Sequence, residues 1–313
     1  MTGHARRCYR IVRNPAAGAK GAIPTNRLRP QELSSLAERH GLGDDIVEPA
    51  DEDEMRAVVR AAVDAELGVL VAAGGDGTVH LVAEGLLGTK TALAILPLGS
   101  VMNIARGLGI PRDPDAAAAI ISDGAITSVD VGRATAADGR RVHFLEAGSV
   151  GMNAAMFREA ARFDEGDWAS IVRTIWVALR YRPARMRVDL DDRSVRTRAL
   201  MVTVSNGPYI GVGMTVAPAA RLDDGRFDVR IFRGFSKWEL LRHLASIAFG
   251  RRRYAPHVST YRSASARISS ARPLPARADG IDLGVTPVTF TTLPGALRVV
   301  VRSGATGRSP HSA

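Results

Sequence analysis

The segment Ala73-Gly74-Gly75-Asp76-Gly77-Thr78 holds the residues best suited to chemistry in this chain. It lies between a continuous apolar run, Gly68–Ala72, and a stretch with helical spacing, Val79–Leu87. Glycines at such a junction let the backbone come close to a ligand and reach positive φ. The helix that follows offers unpaired N–H groups and a partial positive charge, which suit a phosphate. An acid inside an anion cradle must serve some other purpose. It could hold a metal-bound water, orient a ribose, or accept a proton from an attacking hydroxyl. Asp76 is therefore a candidate catalytic residue. The bland reading is a glycine-rich turn in which Asp76 caps a helix.

Two more junctions of the same kind strengthen the phosphate reading. Asn14-Pro15-Ala16-Ala17-Gly18 follows the strand-like Tyr9–Val12, and Pro97-Leu98-Gly99-Ser100 follows the strand-like Ala92–Leu96. In a parallel sheet all three loops open on one edge, where ligands bind beyond the strand C-termini.

The elements that must position these loops are legible in the hydrophobic pattern. Pro30–Arg39 repeats apolar residues at helical spacing through Leu33, Leu36 and Ala37, and Glu52–Ala65 does so through Met55, Val58, Val59 and Ala62. Strands alternating with helices predict an α/β domain with a parallel sheet. Beyond about Val131 the texture changes. Arg141–Ala147, Arg185–Leu190, Arg196–Ser205, Phe227–Phe232 and Ala266–Ser269 read as strands, separated by turn signals such as Asp223-Asp224-Gly225. Helical patterns at Trp168–Tyr181 and Ser236–Phe249 interrupt them. The expected organisation is an α/β domain over 1–132, a β-rich domain over 133–302 and a frayed tail over 303–313.

Composition sets limits on function. At 313 residues two domains are the better prior, and 46% hydrophobic with 24% charged residues fits a globular chain. The single cysteine, Cys8, allows no internal disulfide, so a cytoplasmic location is expected. No segment reaches the roughly 20 apolar residues of a membrane span, so membrane contact would be peripheral, at the cytoplasmic face. The formal charge of +10 attracts polyanions or anionic lipid surfaces. Nucleic acid is not expected as a partner: aromatics are only 5% and no nucleic-acid motif is present. The basic residues are nearly all Arg, a bias that also follows from genome base composition.

In order and spacing, these motifs resemble the diacylglycerol kinase catalytic-domain family, which includes bacterial lipid kinases and sphingosine kinases. Asn14–Gly18 is similar to its NPxxG loop, Gly74–Thr78 to its GGDGT, and Pro97–Arg106 to its PLGTGNDFAR. Further matches are Ser149–Ala154 to GxGFDA, Ser205–Met214 to NGxyxGGGM, Pro218–Gly225 to PxAxxDDG, and Asp279-Gly280 to DGE. The resemblance implies an N-terminal three-layer α/β domain like that of NAD kinases, followed by a C-terminal β-sandwich. It implies transfer of the ATP γ-phosphoryl to a lipid hydroxyl with Mg²⁺, the lipid being met at a membrane surface. By the same resemblance Asn14, Pro15, Gly18, Gly74, Gly75, Asp76, Gly77, Thr78, Gly99 and Ser100 would line the nucleotide. Asp224 with the carbonyls of Arg221 and Arg226 would hold Mg²⁺, and Asp279 would sit near the transferred phosphoryl as the candidate base.

Departures from the family pattern set up the alternatives. Asn103 and Asn153 stand where the family has acids of a network around a metal-bound water; Asn keeps an acceptor but loses the charge. Ile281 replaces the Glu of DGE and cannot accept a proton. Asp282 is near enough to substitute, but strand alternation points it to the opposite face. The other readings are a member that binds nucleotide or lipid without turnover, and a soluble NAD kinase. A homodimer is left open.

The Trp168–Tyr181 stripe reads first as core packing and second as a membrane interface, since Arg173, Arg180 and Arg182 accompany its aromatics. Arg251-Arg252-Arg253 is either a lipid-headgroup contact or a solvated helix end. His40, His143 and His243 lack metal-ligand spacing and read as structural, and Cys8 as inert.

Overall fold

In the computed structural model the described residues are 8–15, 28–160, 176–177, 180–211, 213–233 and 258–304. They divide into two compact units, 1–130 with 294–313, and 131–293.

The first unit is α/β. Its elements are β1 (Tyr9–Arg13), α1 (Pro30–Arg39), β2 (Ile46–Val47), α2 (Glu52–Asp64), β3 (Val69–Gly74), α3 (Asp76–Leu86), β4 (Ala92–Pro97), α4 (Asn103–Gly107) and α5 (Pro114–Asp123). The strands are parallel in the order β2-β1-β3-β4. Every residue of β3 and β4 is buried, as their unbroken apolar runs require of strands covered on both faces. The helices turn one stripe inward: Leu33, Leu36 and Ala37 from α1, and Met55, Val59 and Ala62 from α2. Two helix starts are capped by acids. Asp51 accepts the Glu54 N–H ahead of α2, and Asp113 accepts that of Ala116 ahead of α5.

The second unit is β-rich and antiparallel. The chain enters it through β5 (Ala125–Thr135), β6 (Arg141–Phe144), β7 (Ala147–Gly151) and α6 (Met152–Ala160). It continues with β8 (Ala184–Leu190), β9 (Ser194–Ala199), β10 (Met201–Ser205), β11 (Tyr209–Ile210), β12 (Met214–Thr215) and β13 (Phe227–Phe232). The last strands are β14 (Val258–Ser263), β15 (Ser265–Ser270), β16 (Pro275–Ala278), β17 (Ile281–Val285) and β18 (Val288–Val301). One sheet has the order β14-β13-β10-β7-β16-β17; against it stand β9, β8, β15 and the first half of β18. Their inner faces form one core around Phe144, which stacks on Phe227 at 5.6 Å and meets Phe290 edge-on at 5.8 Å. Two packed antiparallel sheets make this unit a β-sandwich. The end of β18 returns to the first unit, where Val299 pairs with Leu93 of β4.

Two strand readings are corrected. Arg141–Ala147 is not one strand but β6 and β7, broken at Leu145-Glu146, because the amides there turn to a side chain instead of a ladder. Arg196–Ser205 is broken at Leu200, where the chain passes from one sheet to the other. The stripe Trp168–Tyr181 lies mostly outside the described residues. At Trp176 the core reading fails: the side chain is 50% exposed, with the Arg180 guanidinium 3.9 Å above its ring. Ser236–Phe249 and Arg251–Arg253 also lie outside them.

Candidate active site

In the first unit the ends of β1, β3 and β4 carry the three glycine-bearing loops, and short bonds tie them together. Asn14 N–H donates to the Ala73 carbonyl at 3.1 Å and its side-chain amide to Thr78 Oγ1 at 3.0 Å. Leu98 N–H donates to the Gly74 carbonyl at 3.0 Å. The loops touch so closely that side chains are excluded. A Cβ on Gly74 would lie 2.5 Å from Thr78 Oγ1, and one on Gly99 would lie 2.6 Å from the Gly75 Cα. Glycine is required there for approach, as the motif suggested.

Asp76 opens α3, and its two carboxylate oxygens accept the Asn103 and Ile104 amides, each at 3.1 Å. It thereby caps α4, whose entry residue Met102 has a left-handed φ of 56°. Gly77 is exposed and a Cβ there would meet nothing within 4 Å, so nothing crowds the first turn of α3 on that side. Pro15 is exposed, Ser100 half-buried and Asn103 buried at the start of α4; Gly18 lies outside the described residues. Asn14, Gly74, Gly75, Asp76, Thr78 and Gly99 thus gather at one sheet edge.

Asp279 belongs to the second unit, between β16 and β17, with φ 44°. Its carboxylate accepts three successive amides, Leu145 at 2.8 Å, Glu146 at 3.1 Å and Ala147 at 2.9 Å. The fully buried Asn206 grips the same turn from the other side, donating its side-chain amide to the Leu145 carbonyl at 3.1 Å. Arg277 donates to the Asp279 carbonyl and stacks 3.9 Å over Phe157; burial pushes its guanidinium down, opposed by the charges of Asp279, Glu146 and Asp282. Glu146 and Arg277 were not singled out from the sequence. The Asn206-Gly207 turn signal was the available pointer to their neighbourhood.

Neither neighbour of the DG pair offers a free base. Ile281 packs against the sandwich core. Asp282 makes a two-pronged ion pair with Arg158, 2.7 Å at each prong, and this bond, first among the causes, holds its carboxyl below the usual range. Asn153 is buried at the start of α6.

The acidic turn after β12 does not fit a divalent cation as its side chains stand. Asp224 Oδ1 accepts the Arg226 N–H at 3.0 Å, and the Arg262 guanidinium sits on Oδ2. Asp223 is paired with Arg221 at 3.0 Å. A hard cation needs carboxylate oxygens that no guanidinium occupies. Among the described residues no three acidic, His or Cys side chains converge as a metal cluster. His40 bonds Asp115 at 3.1 Å, a structural role.

Comparison with known proteins places these features. Residues 9–134 match the diacylglycerol kinase catalytic domain, and 147–301 match the YegS C-terminal NAD kinase beta sandwich-like domain. The chain is 30% identical over 258 residues to a Pseudomonas aeruginosa protein named "Probable lipid kinase YegS-like", covering 82% of this chain and 83% of that one. It is 27% identical over 293 residues to a diacylglycerol kinase of Mycobacterium tuberculosis, covering 92% and 93%. The crystal structure of a diacylglycerol kinase from Bacillus anthracis superposes with a TM-score of 0.69 at 19% identity, over 95% of this chain and 97% of that one. That last likeness concerns the fold.

Proposed function

The chain belongs to the diacylglycerol kinase catalytic-domain family, and on that premise we propose that it is an ATP-dependent lipid kinase. The γ-phosphoryl passes to a lipid hydroxyl: the new bond joins that oxygen to phosphorus, the bond to the β-phosphate oxygen breaks, and ADP leaves. Magnesium enters with the nucleotide as part of the substrate.

The observation that carries this reading is the lacing of three strand-end loops through Asn14–Thr78, Leu98–Gly74 and Asp76–Asn103. Such a cradle presents backbone N–H groups and a helix N-terminus to phosphate oxygens in a fixed arrangement. Phosphoryl transfer asks the protein mainly for positioning and charge stabilisation, because its transition state is loose. The hydroxyl proton then needs only a weak acceptor. We assign that role to Asp76, the acid of the glycine-rich loop at the start of α3. Asp279 is a positioning residue in this scheme, fixing the 145–147 turn.

A second reading is favoured by Asn103, Asn153 and Ile281: nucleotide or lipid binding without turnover. Radiolabelled ATP incubated with extracted lipids, and separately with NAD, decides. Label in a lipid supports the kinase. Label only in NADP, or nucleotide bound with no product, refutes it.

A further inference from the structure

The outer face of the sandwich at β8, β9 and β15 departs from ordinary surface chemistry. Inward-facing positions of these strands are apolar: Ala184, Met186, Val188, Ala199, Ala266 and Ile268 are all buried. The outward positions are arginines. Arg185 stands directly opposite Arg198, and Arg187 opposite Arg196. Arg267 lies opposite Asp189 on the other side of β8. All five arginines are exposed, and Asp189, which pairs with Arg187 at 2.7 Å, is the one acid in these registers.

Like charges directly opposite in an antiparallel pair oppose folding, and exposed sheet faces ordinarily intersperse signs. Here two such pairs sit side by side around an open depression of about 490 Å³, bordered by Arg185, Arg187, Arg196, Arg198, Ser269 and Ser270. Directly opposed side chains stand about 5 Å apart, and those two residues along a strand about 7 Å, so the guanidinium groups form a nearly planar lattice. Planar guanidinium forks match phosphate oxygens two at a time.

At the head of β8 the chain adds aromatic groups. Ala271 N–H bonds the Arg185 carbonyl, and the neighbouring Arg272 lies 5.7 Å over the Tyr181 ring. A few residues earlier come the exposed Trp176 and the Arg180 stacked on it. Arginine beside an exposed aromatic ring, here Trp176, suits the level of lipid headgroups, while Tyr181 is partly buried against the sandwich core.

We propose that the arginine face of β8, β9 and β15 docks the protein on anionic phospholipid bilayers. The inference rests on the lipid-kinase reading for its choice of partner, since a substrate held in a bilayer must be reached from its surface. Single-stranded nucleic acid is the weaker fit, because it stacks its bases on aromatic platforms and the lattice between the strands carries none.

The test is flotation of the full chain with vesicles of pure phosphatidylcholine, or of phosphatidylcholine and phosphatidylserine in equal parts, at low and high salt. The parent protein binds the anionic vesicles alone and leaves them at high salt. A variant with Arg185→Thr, Arg187→Thr, Arg196→Thr and Arg198→Thr loses more than about a hundredfold in partitioning, at about fivefold per arginine. Its melting temperature holds or rises, because threonine suits exposed strand positions and the opposed charges are gone. A control of equal net charge, with Arg60, Arg141, Arg233 and Arg302 changed to Thr, keeps most of its binding. Undiminished binding by the first variant, an equal loss in the control, or a parent that ignores anionic vesicles and binds single-stranded RNA would each overturn the proposal. Phosphoryl transfer to detergent-dispersed lipid, measured alongside, is unchanged in the first variant. Absence of transfer in every protein would sink the kinase reading, while the vesicle data still decide the docking surface.

Discussion

The carboxylate of Asp76 accepts the main-chain N–H of Asn103 at 3.1 Å. The acid of the glycine-rich loop after β3 thus holds the helix that follows the loop after β4. Asp76→Ala removes this cap and the proposed proton acceptor together. Stability falls by about 1 kcal/mol, as for loss of a helix cap, while turnover falls by on the order of a hundredfold or more. Asp76→Asn keeps one acceptor oxygen and loses less stability. Melting curves paired with phosphate-transfer rates separate the two effects.

Gly99 and Gly77 make a contrasting pair. A methyl group on Gly99 would meet the Gly75 Cα at 2.6 Å and Met102 Sδ at 2.8 Å, forcing the two loops apart. Gly99→Ala is expected to cost about 1–3 kcal/mol, as overpacking does, and to weaken nucleotide binding. Gly77 faces open space. Gly77→Ala is expected to hold or gain stability, since alanine favours a helix by up to about 1 kcal/mol. Its nucleotide affinity nonetheless falls if phosphate lies over the first turn of α3. Calorimetric titration with ATP checks both.

Arg262 occupies the carboxylate that the family resemblance gives to a cation. Added MgCl₂ without nucleotide is therefore expected to leave the melting temperature of the native protein unchanged. In Arg262→Ala the Asp224 oxygens become available, and the same salt raises the melting temperature with a saturable dose dependence. A saturable Mg²⁺ response in the native protein would contradict the assignment.

Asp282 is an anchor for Arg158 rather than a base. Its folded-state carboxyl is held down by the Arg158 bond, so the stabilisation is present above the unfolded value near 3.9 and disappears as pH falls through the folded one. The side chain is 53% exposed, and the pair is therefore expected to contribute no more than about 1 kcal/mol. Asp282→Asn should be slightly less stable than the parent at neutral pH, equal to it in acid, and within about twofold of its activity. A collapse of turnover at unchanged stability would instead make Asp282 the proton acceptor.

Much of this architecture was written locally. The helix at Pro30–Arg39 is legible because a proline start and three inward apolar residues at helical spacing are all short-range signals. The buried runs of β3 and β4, with glycines at their ends, disclosed the phosphate loops for the same reason. What escaped depends on distant partners. The break at Leu145-Glu146 is set by Asp279, more than a hundred residues away. The placing of Arg262 on Asp224 has no local signature, and neither has the return of β18 to β4. The arginine face was invisible as a face, since its members become neighbours only once β8, β9 and β15 are in register.

The claim at the centre is that laced loops bearing Asp76 move phosphate from ATP to a lipid. It is met most directly by incubating the protein with γ-labelled ATP and a series of hydroxyl-bearing lipids, then resolving the products. The account predicts a labelled lipid phosphate from the native protein and, from an Asp76→Ala variant that still melts as a folded chain, a yield lower by on the order of a hundredfold or more. Equal labelling by both proteins would contradict it.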